Sequence, residues 1–174
     1  MPYVPPEDRK LILDPVVERL SQYIAPQVSD NISLRRAYKS VFMQVSGRLY
    51  SLLTRGTISD CLDSGPEPED DLAEAIYSAG RKYGYGGAHL GELNYSIFTL
   101  IQRVPQIKVE RGEWEPKNEL RYWIYAVTVN ALRYAMVKTE DFEEDISGVF
   151  MDIKDEYKWR VNRPYETAQI IRNE

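Results

Sequence analysis

Residues able to do chemistry are few in this chain and widely separated. The single histidine, His89, follows a glycine-rich stretch, "YGYGGAHL" at 83–90. An imidazole acts as a general base only with a nucleophile or an orienting carboxylate in hydrogen-bond reach, and Glu92 is the one local candidate. One histidine also excludes a histidine-rich metal site. The glycines at 84, 86 and 87 make no phosphate loop: there is no GxxxxGK[ST], and no GxGxxG follows an expected strand. Carboxylates are more plentiful. Glu143, Glu144, Asp145, Asp152, Asp155 and Glu156 fall on one expected helix, with Asp152 and Glu156 at i, i+4 on one face. All-helical nucleotide pyrophosphatases hold Mg²⁺ on comparable acidic helices, since a hard cation takes several carboxylate oxygens and substrate phosphates complete its shell. Their paired ExxE and ExxD motifs are not met here, and Lys154 and Lys158 interleave with the acids. A solvated, salt-paired face is therefore expected, with no catalytic residue, metal or cofactor assigned; Glu92, His89, Asp152 and Glu156 are the candidates should the protein be an enzyme.

Elements that would position these groups follow from periodicity. Asp14 before Pro15, with Val16, Leu20 and Ile24 at i, i+4, i+8, predicts a helix over 15–24 stopped by Pro26. Ahead of it, Pro2, Pro5 and Pro6 predict an extended arm over 1–13. Leu34, Tyr38, Val41, Val45, Leu49 and Leu52 predict an amphipathic helix over 33–54 ending at Gly56. Its polar side carries Arg35, Arg36, Lys39 and Arg48, a modest basic face. Residues 57–67 read as a loop, after which Glu69, Asp70 and Asp71 suit the first turn of a helix opening near Pro68, with Arg81 and Lys82 at its far end. A loop over 84–89 leads to a helix over 90–104. "QIKVERGEWEP" reads as a short extended segment, and 118–137 as a helix apolar nearly all round. A last helix from Thr139 is interrupted by Pro164, leaving 164–174 as a tail. The expected fold is all-α, a single-domain bundle of five to seven helices with little or no β-structure.

Composition narrows the function classes. At 174 residues, 43% hydrophobic and 28% charged, the chain suits one globular domain, which near this length buries about 70% of the surface of its unfolded chain. A net charge of −5 argues against a whole-surface grip on nucleic acid. Cys61, the sole cysteine, allows no internal disulfide and makes a thiolate zinc site a poor fit. The start has no basic then apolar leader pattern, and 122–137 is shorter than the roughly 20 apolar residues of a membrane span. A cytoplasmic or intracellular protein is expected. The 13 tyrosines favour protein contact, since tyrosine combines an apolar body with a polar tip. "GELNYSI" at 91–97 and "NELRYWI" at 118–124 share Glu, Leu, Tyr and Ile in register, a weak sign of internal repetition. Within "GELNY", helix formation accounts for Gly91, Glu92 and Leu93 but not for Asn94 and Tyr95. Those two are expected to touch the N-terminal arm, the C-terminal "RPYE" or a neighbouring subunit.

Three pieces, "MPYVPPEDRKLILDP", "GELNYSIFTLI" and "DISGVFMDIKDEYKWRVNRPYE", occur in the order seen in a family of small uncharacterised proteins from bacterial and phage-like or metagenomic genomes, which this chain resembles. The pieces cover less than a third of the chain. The resemblance implies that the helix at 33–54, the acidic segment after it and much of 105–138 are additions, and it carries no activity. Together these readings lead to a non-enzymatic helical protein of viral or mobile-element origin, working in a cell or a virion through contact with itself or another protein, with interaction candidates Tyr3, Asn94, Tyr95, Arg160, Tyr165 and Glu166. Two alternatives stand beside it: a Mg²⁺-dependent nucleotide or phosphate hydrolase, and a nucleic-acid-binding accessory protein using the basic helix face.

Overall fold

The computed structural model describes residues 4–58, 67–84, 88–116, 152–153, 155–156 and 158–173. Among them every regular element is helical and none is a strand, in agreement with the all-α expectation. The helix expected over 118–137, the internal repeat at 118–124 and the start of the last helix lie outside the described residues.

The N-terminal segment departs from the extended arm. Only Val4 and Pro5 keep extended character; helical structure begins at Pro6, with α1 at Pro6–Asp8, a π-helical turn at Arg9–Leu13, and α2 at Asp14–Ile24. Prolines are compatible with this, because a first-turn position needs no N–H donor and its φ suits proline. Pro6 and Pro15 both occupy such positions. Arg9 Nε donates to the Val4 carbonyl at 2.8 Å and ties the start of the chain back onto the helix. A short 3-10 turn, Ala25–Gln27, ends this rod at Pro26.

The next helix, α3 at Asn31–Arg55, opens with a capping box in which Asp30 Oδ1 accepts from the Ser33 N–H at 2.8 Å and Ser33 Oγ accepts from the Asp30 N–H at 3.0 Å. It closes on Gly56 with φ +76°, a left-handed cap that glycine adopts without strain. All six residues of its expected stripe are buried. Helix α4, Pro68–Arg81, begins where the acidic run begins, so negative side chains meet the positive end of the helix dipole. Arg48 of α3 is committed to this start. It pairs with Asp70 and donates to Glu67 Oε2 at 2.5 Å, which removes it from the basic face expected on α3.

Helix α5, Ala88–Glu110, is longer than expected at both ends. Its start takes in Ala88 and His89, so the loop expected over 84–89 does not reach them. Its end overturns the extended reading of 106–110, and the reason lies at Pro105. Proline inside a helix removes one N–H, leaving the carbonyl of the residue four before it without its helical donor. That residue is Ile101, and the Tyr38 hydroxyl of α3 donates to the Ile101 carbonyl at 2.7 Å in a buried position. With the orphan satisfied from a neighbouring helix, the buried row Leu93, Ile97, Leu100, Val104 and Ile107 continues through the proline. The helix then ends in a Schellman turn, Glu113 N–H to the Lys108 carbonyl at 2.9 Å and Gly112 N–H to the Val109 carbonyl at 2.9 Å, around Gly112 with φ +70°.

Packing is centred on α4 and α5. Helix α2 lies against both, α4 packs on α5, and α3 packs on α4. The shared core includes Leu13, Leu20, Leu34, Leu49, Leu72, Ile76, Leu93 and Leu100. Arg103 of α5 clamps α2 through Glu18, at 2.6 and 3.0 Å, and reaches Glu110 at 2.7 Å.

The expected C-terminal tail is also helical. Residues 158–162 form a second π-helical turn and α6 follows at Arg163–Asn173. The wide turn sits where the Pro164 ring would crowd the carbonyl four residues earlier, so the chain absorbs the proline by widening rather than ending the helix.

Candidate functional site

The groups most able to act chemically gather where the N-terminal rod, the end of α4 and the first turns of α5 meet. Asp8 is buried there, with its carboxylate accepting from Lys82 and from the Tyr83 hydroxyl, both just past α4. Burial alone would raise the Asp8 pKa, but the two hydrogen bonds and the Lys82 charge outweigh it and the net shift is downward. One turn along the rod, the Tyr95 hydroxyl donates to Asp14 Oδ1 at 2.7 Å while the Arg9 guanidinium lies 4.9 Å from the centre of the Tyr95 ring. Tyr95 thus touches the N-terminal segment.

Glu92 lies on α5 one turn before Tyr95 and is buried. It is not in a dipole-favoured first turn; its Oε2 has no hydrogen-bond partner among the described residues. Burial pushes its pKa up, the nearby Asp8 charge adds to the rise and Lys82 opposes it. Asn94, buried with Oδ1 unpartnered among the described residues, and Ser96, buried with Oγ likewise, add two more enclosed polar side chains to the first half of α5.

His89 serves packing. Its ring stacks on Tyr77 of α4, centroids 5.5 Å apart and 19° between planes, and Nε2 lies 3.2 Å from the Tyr77 carbonyl. A carbonyl only accepts, so that nitrogen carries a proton. Asp152 is exposed, and the half-buried Glu156 pairs with exposed Arg160 one turn on. Asp152 is thus solvated and Glu156 is committed to Arg160, while Glu92 is enclosed on another helix, and no group of three or more metal-ligating side chains occurs among the described residues. Glu166 is exposed in the first turn of α6, and Tyr165 lies in the same helix. Tyr3 falls outside the described residues.

Reading the sequence missed Asp8, Lys82, Tyr83 and Arg103. Asp8 and Lys82 are 74 residues apart, and no local pattern joins them.

The whole chain, residues 1–174, matches a family described as a domain of unknown function (DUF6899). The chain belongs to that family. The DUF6899 match includes the helix at 33–54, the acidic segment and 105–138, so these are parts of the family's domain and not additions to it. Neither a search of curated proteins nor one of solved structures found a match to this DUF6899 chain. No described helix is long and apolar enough to cross a membrane.

The opposite shifts of Asp8 and Glu92 make a pH prediction. A carboxyl lowered on folding contributes stability above its unfolded pKa and loses it as pH falls through the folded value; this is Asp8, below about pH 4. One raised on folding contributes below its unfolded value and loses that as pH rises through the folded one; this is Glu92, above about pH 4.5. Glu92→Gln, a neutral near-isostere, should therefore gain stability relative to the parent at pH 7 and lose that advantage near pH 4.5. Urea unfolding at both pH values checks this; an advantage larger at the acidic pH would sink it.

Proposed function

We propose that this protein acts through protein contact, as an adaptor, accessory subunit or self-assembling component, and is not an enzyme. The observation that carries this reading is the C-terminal segment 158–173. Every side chain described in it is exposed, including Trp159 at 63%, Ile170 at 60% and Ile171 at 68%. A helix presenting large apolar side chains to water suits a groove or face on another protein, where their burial drives association. The polar junction around Asp8 and Glu92 supports the same reading, because Asp8 is paired with Lys82 and Tyr83, Glu92 is buried, and the groups join the N-terminal rod to α4 and α5. An intracellular, oligomeric role fits the wider resemblance to proteins of bacterial and phage-like genomes.

The hydrolase alternative has less behind it, with Asp152 solvated, Glu156 paired with Arg160 and Glu92 enclosed elsewhere. The nucleic-acid alternative loses Arg48 to Asp70 and Glu67.

The native mass at micromolar concentration, by sedimentation or light scattering, tests the reading. It should exceed that of one chain, or a second protein should co-purify in fixed ratio. A strict monomer with no co-purifying protein would overturn it.

A further inference from the structure

Charge distribution narrows the partner. Residues 158–174 carry Lys158, Arg160, Arg163 and Arg172 against Glu166 and Glu174, a net +2, or +1 with Arg160 set against its partner Glu156, while the chain as a whole carries −5, so residues 1–157 carry −7. Within the exposed segment, the Arg163 guanidinium lies 3.9 Å from the centre of the Trp159 ring, joining a cation and an apolar plate into one recognition unit. Such a surface fits an acidic surface with apolar spots. The body carries exposed carboxylates at Glu7 on the rod and at Asp71 and Glu74 on α4, Asp71 lying 3.8 Å from Arg19, and Leu11 is 78% exposed one turn from Glu7. Two C-terminal segments set against each other would bring like charges together, so segment on body is favoured over segment on segment.

We propose that the occupant is a second copy of this chain, with segment 158–173 of one copy docked on the acidic body of another. This rests on the reading that the protein works by contact, and it names the partner. When both copies give their segments the contact closes as a two-fold pair; when the exchange is one-way it continues along a row of copies.

Two full-length double variants test it, Ile170→Asp with Ile171→Asp, and Arg163→Glu with Arg172→Glu. All four positions are exposed, so the fold should survive, which far-UV circular dichroism checks. Sedimentation velocity of wild type at micromolar concentration should show self-association. Each variant should weaken it by about tenfold or more, and raising salt from about 0.05 to 0.5 M should weaken the wild-type contact as well. Self-association that persists unchanged in both variants overturns the proposal but leaves the contact reading standing. So does a wild-type chain that is monomeric alone and forms a fixed-ratio complex with a different protein. A chain that is monomeric, takes no protein partner, and binds anionic vesicles or nucleic acid through these residues overturns both.

Discussion

Gly80→Ala is expected to destabilise the protein by about 2 kcal/mol, with most of the loss recovered when His89→Ala is added. A Cβ at Gly80 would lie 2.6 Å from His89 Cδ2, 2.8 Å from Cγ and 3.0 Å from Nε2. The contact is with the body of the ring, which is itself fixed by the Tyr77 stack and the Tyr77 carbonyl, so it has no free direction in which to swing. Alanine gains up to about 1 kcal/mol over glycine in a helix interior, less near a helix end, where Gly80 lies. Overpacking of about 1–3 kcal/mol wins. A double-mutant cycle by urea unfolding measures the coupling; a Gly80→Ala protein as stable as its parent would mean that α4 and α5 are not held at the spacing described.

Tyr38→Phe should destabilise by about 1–3 kcal/mol, the usual effect of stranding a buried polar group. The phenyl ring is retained, so almost the whole effect comes from the Ile101 carbonyl losing its donor. The decisive comparison uses Pro105→Ala, which restores a backbone N–H able to reach Ile101. In that background Tyr38→Phe should be close to neutral. Equal losses in both backgrounds would show that the hydroxyl matters for some reason other than the proline.

These two sites also mark where the sequence was readable and where it was not. The α3 stripe was legible because six apolar residues at helical spacing have one face on which to be buried, and Gly56 ends the run in a left-handed conformation that glycine adopts without strain. The start of α4 was legible from Pro68 and the acids behind it. The continuation of α5 past Val104 was not legible, because a proline interrupts a helix by local rule, whereas the hydroxyl that rescues this one comes from Tyr38, 63 residues away. At the N-terminus, the restricted φ of Pro6 suits an extended arm as well as a helix, and its first-turn position decides for the helix, as it does for Pro15 in the helix the sequence predicts. Of the polar junction, Glu92 and Tyr95 stood out in the sequence, but their partners on the N-terminal rod did not. Asp8 resembles any surface aspartate until the fold brings Lys82 and Tyr83 against it.

The π-helical turn at Arg9–Leu13 bears on which change of length the N-terminal rod can absorb. Its defining bond, Asp14 N–H to the Arg9 carbonyl, spans five residues where an α-helix spans four. Asp8 and Leu13, five apart, consequently face the same interior, with Leu11 left outside. Removing that one outward residue would convert the turn to ordinary α-helix while leaving Asp8 and the leucine now four positions on in phase. The rod therefore contains a site at which an insertion or deletion is absorbed in a single turn, and the junction with Lys82 is insulated from it.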